Sequence, residues 1–438
     1  METRGVGAFY ALLATQTLSM VGSRTSSLAV GIAVFRLTGH ATPLALVSVF
    51  STAPWIIFGG LGGALADRLD RRSLMLAANV GYTLASGLLL IAFLSGGFRL
   101  WQLYGLAFAN GVFGVLETPA LQASVAMLVP DRLRDRTNAI QQLSYPAASA
   151  AAAGLAGVLY ASVGVVGAIV ADLFTFAVAI AAIAVVRIPM PVASPEGRDA
   201  RGGIWRQSVY GFRYLFGRPP LLGFCVYFAV ISAVASGFWV LMTPYVLDRV
   251  HATGTFGLVI GVGFSGAIAG ALAMGVWGGT RPRIHTVMLS MVVAGAFMTL
   301  AGVARSPGAV GSALFLVTFA IPFANAAVNS IYQAKVAPDL QGRVFAAMGQ
   351  LSALLAPLAS LAAGRLADRV FEPAVSKPGW NGFAWMVGQA HGSGIGLMYV
   401  IAGLSILAMS LAVYASPGIR RIEAALPDHQ AAAPASIA

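Results

Sequence analysis

Apolar runs long enough to cross a lipid bilayer constrain this chain more than any other feature, and there are twelve of them. A spanning helix needs about 20 predominantly apolar residues. Such runs read as Phe9–Phe35, Leu44–Leu65, Leu74–Leu94, Leu100–Leu128, Ala139–Val163, Val165–Val186, Leu221–Leu247, Thr255–Trp277, Thr286–Val303, Val310–Val336, Val344–Val370 and Gly394–Ala415. Backbone polar groups inside a bilayer must bond within their own segment, so each run is expected to be a helix. Composition agrees: 58% of residues are hydrophobic and only 10% charged, with a mean hydropathy of +0.81, where soluble globular chains carry about 25% charge. The expected fold class is all-α and polytopic, with twelve transmembrane helices and both chain ends on one side.

Charge placement orients the chain. Of 27 Lys and Arg residues, nineteen fall in segments on the side of the termini and seven on the opposite side, with Arg24 inside a helix. Retained loops carry the basic excess, so both termini are expected in the cytoplasm of a cell whose inner membrane holds the protein. The net charge of +12 follows from topology and anionic headgroups and gives no reason to expect nucleic acid. The single cysteine, Cys225, excludes an intrachain disulfide framework. No cleavable signal is read at the N-terminus, whose apolar run is too long and lacks a small-residue cleavage site.

The polar stretch Pro191–Gly203 divides the runs into two sets of six. The organisation expected is a six-helix bundle over 1–190, a cytoplasmic linker over 191–218, a second bundle over 219–418 and a disordered cytoplasmic tail over 419–438. In the linker, Trp205, Val209, Phe212 and Phe216 fall on one helical face, which suits either a helix lying in the membrane interface or a plain connector. The halves repeat at an offset of 208: Val129-Pro-Asp131 recurs as Ala337-Pro-Asp339, and Gln142-Leu-Ser144 as Gln350-Leu-Ser352. Parallel six-helix halves are a known transporter plan.

Between the second and third runs lies Gly63-Ala-Leu-Ala-Asp67-Arg68-Leu-Asp-Arg71-Arg72. This stretch resembles the loop 2–3 signature of the major facilitator superfamily, with Asp70 where glycine is usual. Its echo, Gly364-Arg-Leu-Ala-Asp368-Arg369, sits at the other end of the eleventh run. With Leu340-Gln-Gly-Arg-Val-Phe345 and the run-on to Pro373, the chain is similar to the drug and siderophore exporter branch, which includes macrolide efflux pumps and the enterobactin exporter. The resemblance implies two pseudo-symmetric six-helix bundles and proton-driven efflux. Asp67 can pair with an arginine or accept hydrogen bonds from a neighbouring helix N-terminus, which makes Gly63, Asp67, Arg68, Arg71 and Arg72 a conformational latch; an ordinary positive-inside loop is the alternative reading.

Ionisable groups inside the hydrocarbon are costly and point to function. Arg24, Glu117 and Asp172 lie near mid-membrane and are the proton-coupling candidates. The resemblance puts the first, fourth, seventh and tenth helices around a central cavity, so Arg24 and Glu117 are expected to face each other. Glu117 is then either a proton site or half of a structural ion pair, because burial and a guanidinium act oppositely on a carboxylate. For Asp172, on the sixth helix, a structural role is the leading expectation. Asn325 and Asn329, four apart on one face, are candidate substrate contacts with Gln333, Gln16, Asn110 and Phe113; interhelical hydrogen bonding is the alternative reading for the amides. Trp55, Phe113, Phe238, Trp239 and Met242 either form an adaptable apolar pocket for bulky compounds or simply face lipid or pack. Gly257, Gly261, Gly266 and Gly270 follow close-packing spacing, which reads as architecture and not chemistry.

No nucleophile constellation, metal-ligand cluster or phosphate-binding loop occurs, so neither an enzyme nor a cofactor or metal is expected. The partners expected are a small-molecule substrate, protons and the lipid bilayer, with the protein as a monomer. The function expected is proton-coupled efflux of amphipathic small molecules such as drugs, siderophores or natural products. The alternatives are an importer or facilitator, and a receptor or lipid-handling protein without solute flux.

Overall fold

The computed structural model describes residues 2–128, 131–186, 213–250, 253–336, 338–420 and 423. Helix α1 spans Glu2–Thr38, α2 Thr42–Arg68, α3 Arg71–Leu94 and α4 Leu100–Leu128. One continuous helical stretch, Asp131–Val185, is broken at Gly164, giving α5 (131–163) and α6 (165–185). Then follow α7 Pro219–Val250, α8 Thr253–Trp277, α9 Ile284–Val303, α10 Pro307–Lys335, α11 Pro338–Leu366 and α12 Ser393–Ala415. Ten helices among the described residues are long and apolar enough to cross a membrane, and one of them, Leu143–Val185, is 43 residues long and holds the Gly164 break. The expected helix order therefore stands.

Local chemistry sets the ends. Asp70 caps α3, accepting from the Ser73 amide at 3.0 Å and the Ser73 hydroxyl at 2.7 Å, because the first amides of a helix have no internal partner. Ser306 caps α10 through the Ala309 amide, with Pro307 at the first helical position. Gly164 turns α5 into α6 with φ of 68°, a conformation open to glycine at no steric penalty. The expected interfacial helix falls almost wholly outside the described residues, as does the tail beyond residue 423.

Helices α1 to α6 pack chiefly with one another, and α7 to α12 do the same; the two sets meet where α2 crosses α11 and where α5 crosses α8. Among the described residues, Gly364 of α11 meets Thr42 and Ala45 at the start of α2, and Gly257 near the start of α8 meets Ala153 and Gly157 of α5, toward the far end from Glu2. The glycines of α8 serve two seams. Gly257 and Gly261 approach the α5 backbone at Ala153, Gly157 and Ala150, whereas Gly266 and Gly270 approach the α10 backbone at Phe315 and Phe319. Nine residues at about 100° each turn a helix to its opposite face, which separates Gly257 from Gly266.

The halves are filled differently. The second has one continuous apolar core, crossed by buried tyrosines whose hydroxyls bond neighbouring helices: Tyr399 to the Phe238 carbonyl at 3.0 Å and Tyr332 to the Leu221 carbonyl at 3.2 Å. Phe238 and Met242 belong to that core. The first half has separate apolar clusters near its two ends, one around Leu12, Met75 and Ile183, the other around Val34, Leu89 and Ile169. Between them the packing opens.

Candidate functional site

The opening is a cavity of about 780 Å³ walled by α1 to α6. Hydroxyls and amides line it at Gln16, Ser19, Ser23, Ser86, Asn110 and Tyr145, and two carboxylates, Glu117 and Asp172, stand in the same wall. Among the described residues that line it there is no Arg, Lys or His. Glu117 projects from the middle of α4, two residues before Pro119, which withholds an amide from the helix ladder. Its Oε1 accepts from Asn79 Nδ2 of α3 at 2.7 Å and from Gln16 Nε2 of α1 at 3.1 Å, and the Tyr82 phenol interacts with the same carboxylate.

Asp172 lies farther along the cavity, bonded by the Ser23 hydroxyl on one oxygen and the Ser86 hydroxyl on the other, both at 2.9 Å. Its side chain is held by neutral groups on α1 and α3, as that of Glu117 is. A carboxylate bonded this way keeps capacity for a proton or a cation, since its bonding partners among the described residues are neutral.

Arg24 and Glu117 do not pair. The Arg24 guanidinium lies 4.0 Å from the centre of the Tyr145 ring on α5, and its buried Nε has no hydrogen-bond partner. Helix geometry explains the outcome. Gln16 sets the level of Glu117 on α1, and Arg24 stands eight residues on, about 12 Å along the axis, level with the Ser23–Asp172 contact.

The other candidates are scattered. Gln16 and Asn110 line the cavity. Phe113 packs against helix α3, its ring occupying the space above Gly81 and meeting Tyr82 edge-on at 5.7 Å. Asn325 and Asn329 share an exposed face of α10, and the side chain of Gln333 lies outside the described residues. Trp239 stacks on Phe264, and Trp55 is partly exposed. Of the latch, Gly63, Asp67 and Arg68 lie in the last turns of α2, where side chains are not described. Arg71 begins α3, and Arg72 donates from Nε to the Ile183 carbonyl at 3.1 Å and from its terminal nitrogen to Ala184, closing the end of α6 within the first half.

Sequence reasoning missed Asn79, Tyr82, Ser23 and Ser86, which complete the carboxylate sites. Asn79 was open to detection, as an amide inside the apolar run Leu74–Leu94; the serines carry no such signal.

The family model of the Major Facilitator Superfamily matches residues 7–360. The chain is 26% identical over 373 residues to Macrolide efflux protein A of Streptococcus pyogenes, covering 83% of this chain and 90% of that protein. It is 23% identical over 345 residues to the Multidrug efflux pump Tap of Mycolicibacterium fortuitum, covering 76% and 83%. Among solved structures, a bacterial homolog of the human lysosomal transporter Spinster, in an inward-facing and unoccupied conformation, shares the fold. Its TM-score is 0.68 at 14% identity, over 93% of this chain and 94% of that one.

Proposed function

The chain belongs to the Major Facilitator Superfamily, a multi-pass membrane transporter, and from that premise we propose that it exports amphipathic small molecules against protons by alternating access. The observation that carries this reading is the cavity with Glu117 and Asp172 in its wall and no cationic residue among its described lining residues. The names of its relatives, macrolide and multidrug efflux proteins, favour export. In this reading the two sets of six helices are the moving bodies, both termini are cytoplasmic in a bacterial inner membrane, and one copy suffices for transport.

Glu117 is the exchange point. In the state described, Asn79 and Gln16 bond its carboxylate. A proton neutralises that group and so does a substrate ammonium, and one site cannot hold both. Rocking the halves alters its surroundings, so each access state favours a different occupant, which is the physical content of coupling. Apolar lining such as Leu13, Met20 and Phe176 suits the body of an amphipathic solute.

The test is transport in proteoliposomes under an imposed pH gradient. Efflux of a lipophilic amine should follow the gradient in wild type. In Glu117→Gln, which keeps volume and hydrogen bonding but holds no charge, gradient-driven transport should fall to the level of protein-free vesicles. Full-rate flux without a gradient, or an unaffected Glu117→Gln, refutes the coupling. Whole-cell counterflow that accumulates solute inside would favour import.

A further inference from the structure

We infer that Asp368 holds the far end of the molecule closed by capping helix α2 from the opposite half, and that this contact sets how readily that end opens. The residue sits in a π-helical turn, Ala367–Phe371, that continues α11; such turns re-aim side chains out of the regular α spacing. Its carboxylate accepts from the Ala41 amide at 2.7 Å through one oxygen, and from the Thr42 amide at 2.7 Å and the Thr42 hydroxyl through the other. These bonds join residues 326 and 327 apart in sequence across the seam between the halves.

Helix α2 lacks the means to cap itself. The residue before its first turn is Ala41, which has no acceptor in its side chain, and Pro43 has no amide to offer. Its leading amides therefore depend on a group from elsewhere. An ionised carboxylate at a helix N-terminus gains from both charge-assisted bonds and the helix dipole. One turn earlier on α11, Gly364 lets the backbones meet: a Cβ there would lie 2.7 Å from Ala45 Cβ and 3.2 Å from Thr42 Cα.

The neighbouring charges are engaged on their own side. Glu372 accepts from the Gly392 and Ile395 amides at the start of α12, and Asp248 bonds His391 at 2.8 Å. These residues share a pocket of about 270 Å³ with Asp368 and His40, whose Nδ1 is 3.9 Å from the Asp368 carboxylate. Asp368 is the member of this group that reaches the other half. When the halves separate at this end, α2 loses its cap, so the carboxylate favours the state in which they touch.

The inference concerns the access equilibrium and does not depend on which solute or ion is carried. Its test uses the full-length protein in lipid nanodiscs, spin-labelled at Gly97→Cys and Lys377→Cys, exposed far-end positions in opposite halves. Double electron–electron resonance then reads the open fraction. Asp368→Asn should raise the far-end-open to closed ratio about tenfold, equivalent to ~1.4 kcal/mol. Thr42→Val, which removes the hydroxyl bond to Asp368 and leaves the carboxylate in place, should move the ratio in the same direction, by about threefold. If Asp368→Asn fails to fold, the Thr42→Val result decides alone. Unchanged distance distributions in folded Asp368→Asn, or in Thr42→Val, overturn the inference.

Discussion

Replacing Gly257 by valine tests whether the seam between α5 and α8 is tight only in the closed far end. A Cβ at Gly257 would lie 2.7 Å from the Ala153 carbonyl oxygen, 3.0 Å from Gly157 Cα and 3.2 Å from Gly157 N. All three are backbone atoms, so no rotamer change can make room. Separations of about 3.5 Å are needed for ordinary contact, and α5 must retreat by several tenths of an ångström along its length. Overpacking of this kind costs about 1–3 kcal/mol. The penalty falls on the state in which the helices touch, and a shift of that size changes a two-state ratio by about 5- to 150-fold. Spin labels at Ser162→Cys and Ser306→Cys, both exposed at the far end, would report the separation. The control is Gly154→Val, on α5, where an added Cβ meets nothing within 4 Å. Gly257→Val should populate longer distances and slow transport, while Gly154→Val should do neither. Unchanged distances in Gly257→Val, or the same response from Gly154→Val, refute the reasoning.

Two further expectations concern the helix ends. Asp70→Ala should cost about 1 kcal/mol of thermal stability through the lost cap on α3, read as a lowered unfolding midpoint in detergent. The Ser73 hydroxyl bond, helped by the Ser73 and Arg72 amides against partial burial, holds the Asp70 carboxyl below its ordinary value. Its contribution is complete above the unfolded-state value and disappears as pH falls through the lowered one, so wild type and Asp70→Ala should converge in acid. For His391, burial pulls the imidazole down, but the charge and hydrogen bond of Asp248, with Glu372 nearby, outweigh it and the net shift is upward. The pair with Asp248 therefore contributes fully below about pH 6.5 and fades as pH rises through the raised value. His391→Gln should flatten that part of the stability profile.

The positions of the helices were legible because each run of apolar residues is bounded by charges, prolines or glycines, and the structure respects those bounds to within a few residues at most ends. Glu117 and Asp172 stood out for the same reason, as carboxylates where the surroundings are apolar. Their partners did not. Choosing between Gln16 and Arg24 as the neighbour of Glu117 requires the relative height of two helices from different parts of the chain, and an eight-residue difference decides it. The close packing at the glycines of α8 was legible from their spacing, whereas the division between α5 and α10 depends on which helices flank α8. The echo at Gly364–Arg369 was visible as a motif, but its meaning depends on Ala41 and Thr42, which no pattern in the chain connects to it.

The unequal filling of the two halves has a mechanical consequence. A body whose apolar mass is gathered at both ends, with hydroxyls, amides and acids between, can reshape its middle without exposing grease to water. A body knit through by buried tyrosines cannot. On the function proposed above, the second half is thus the anvil of the pair, keeping its form while the first gives way around cargo.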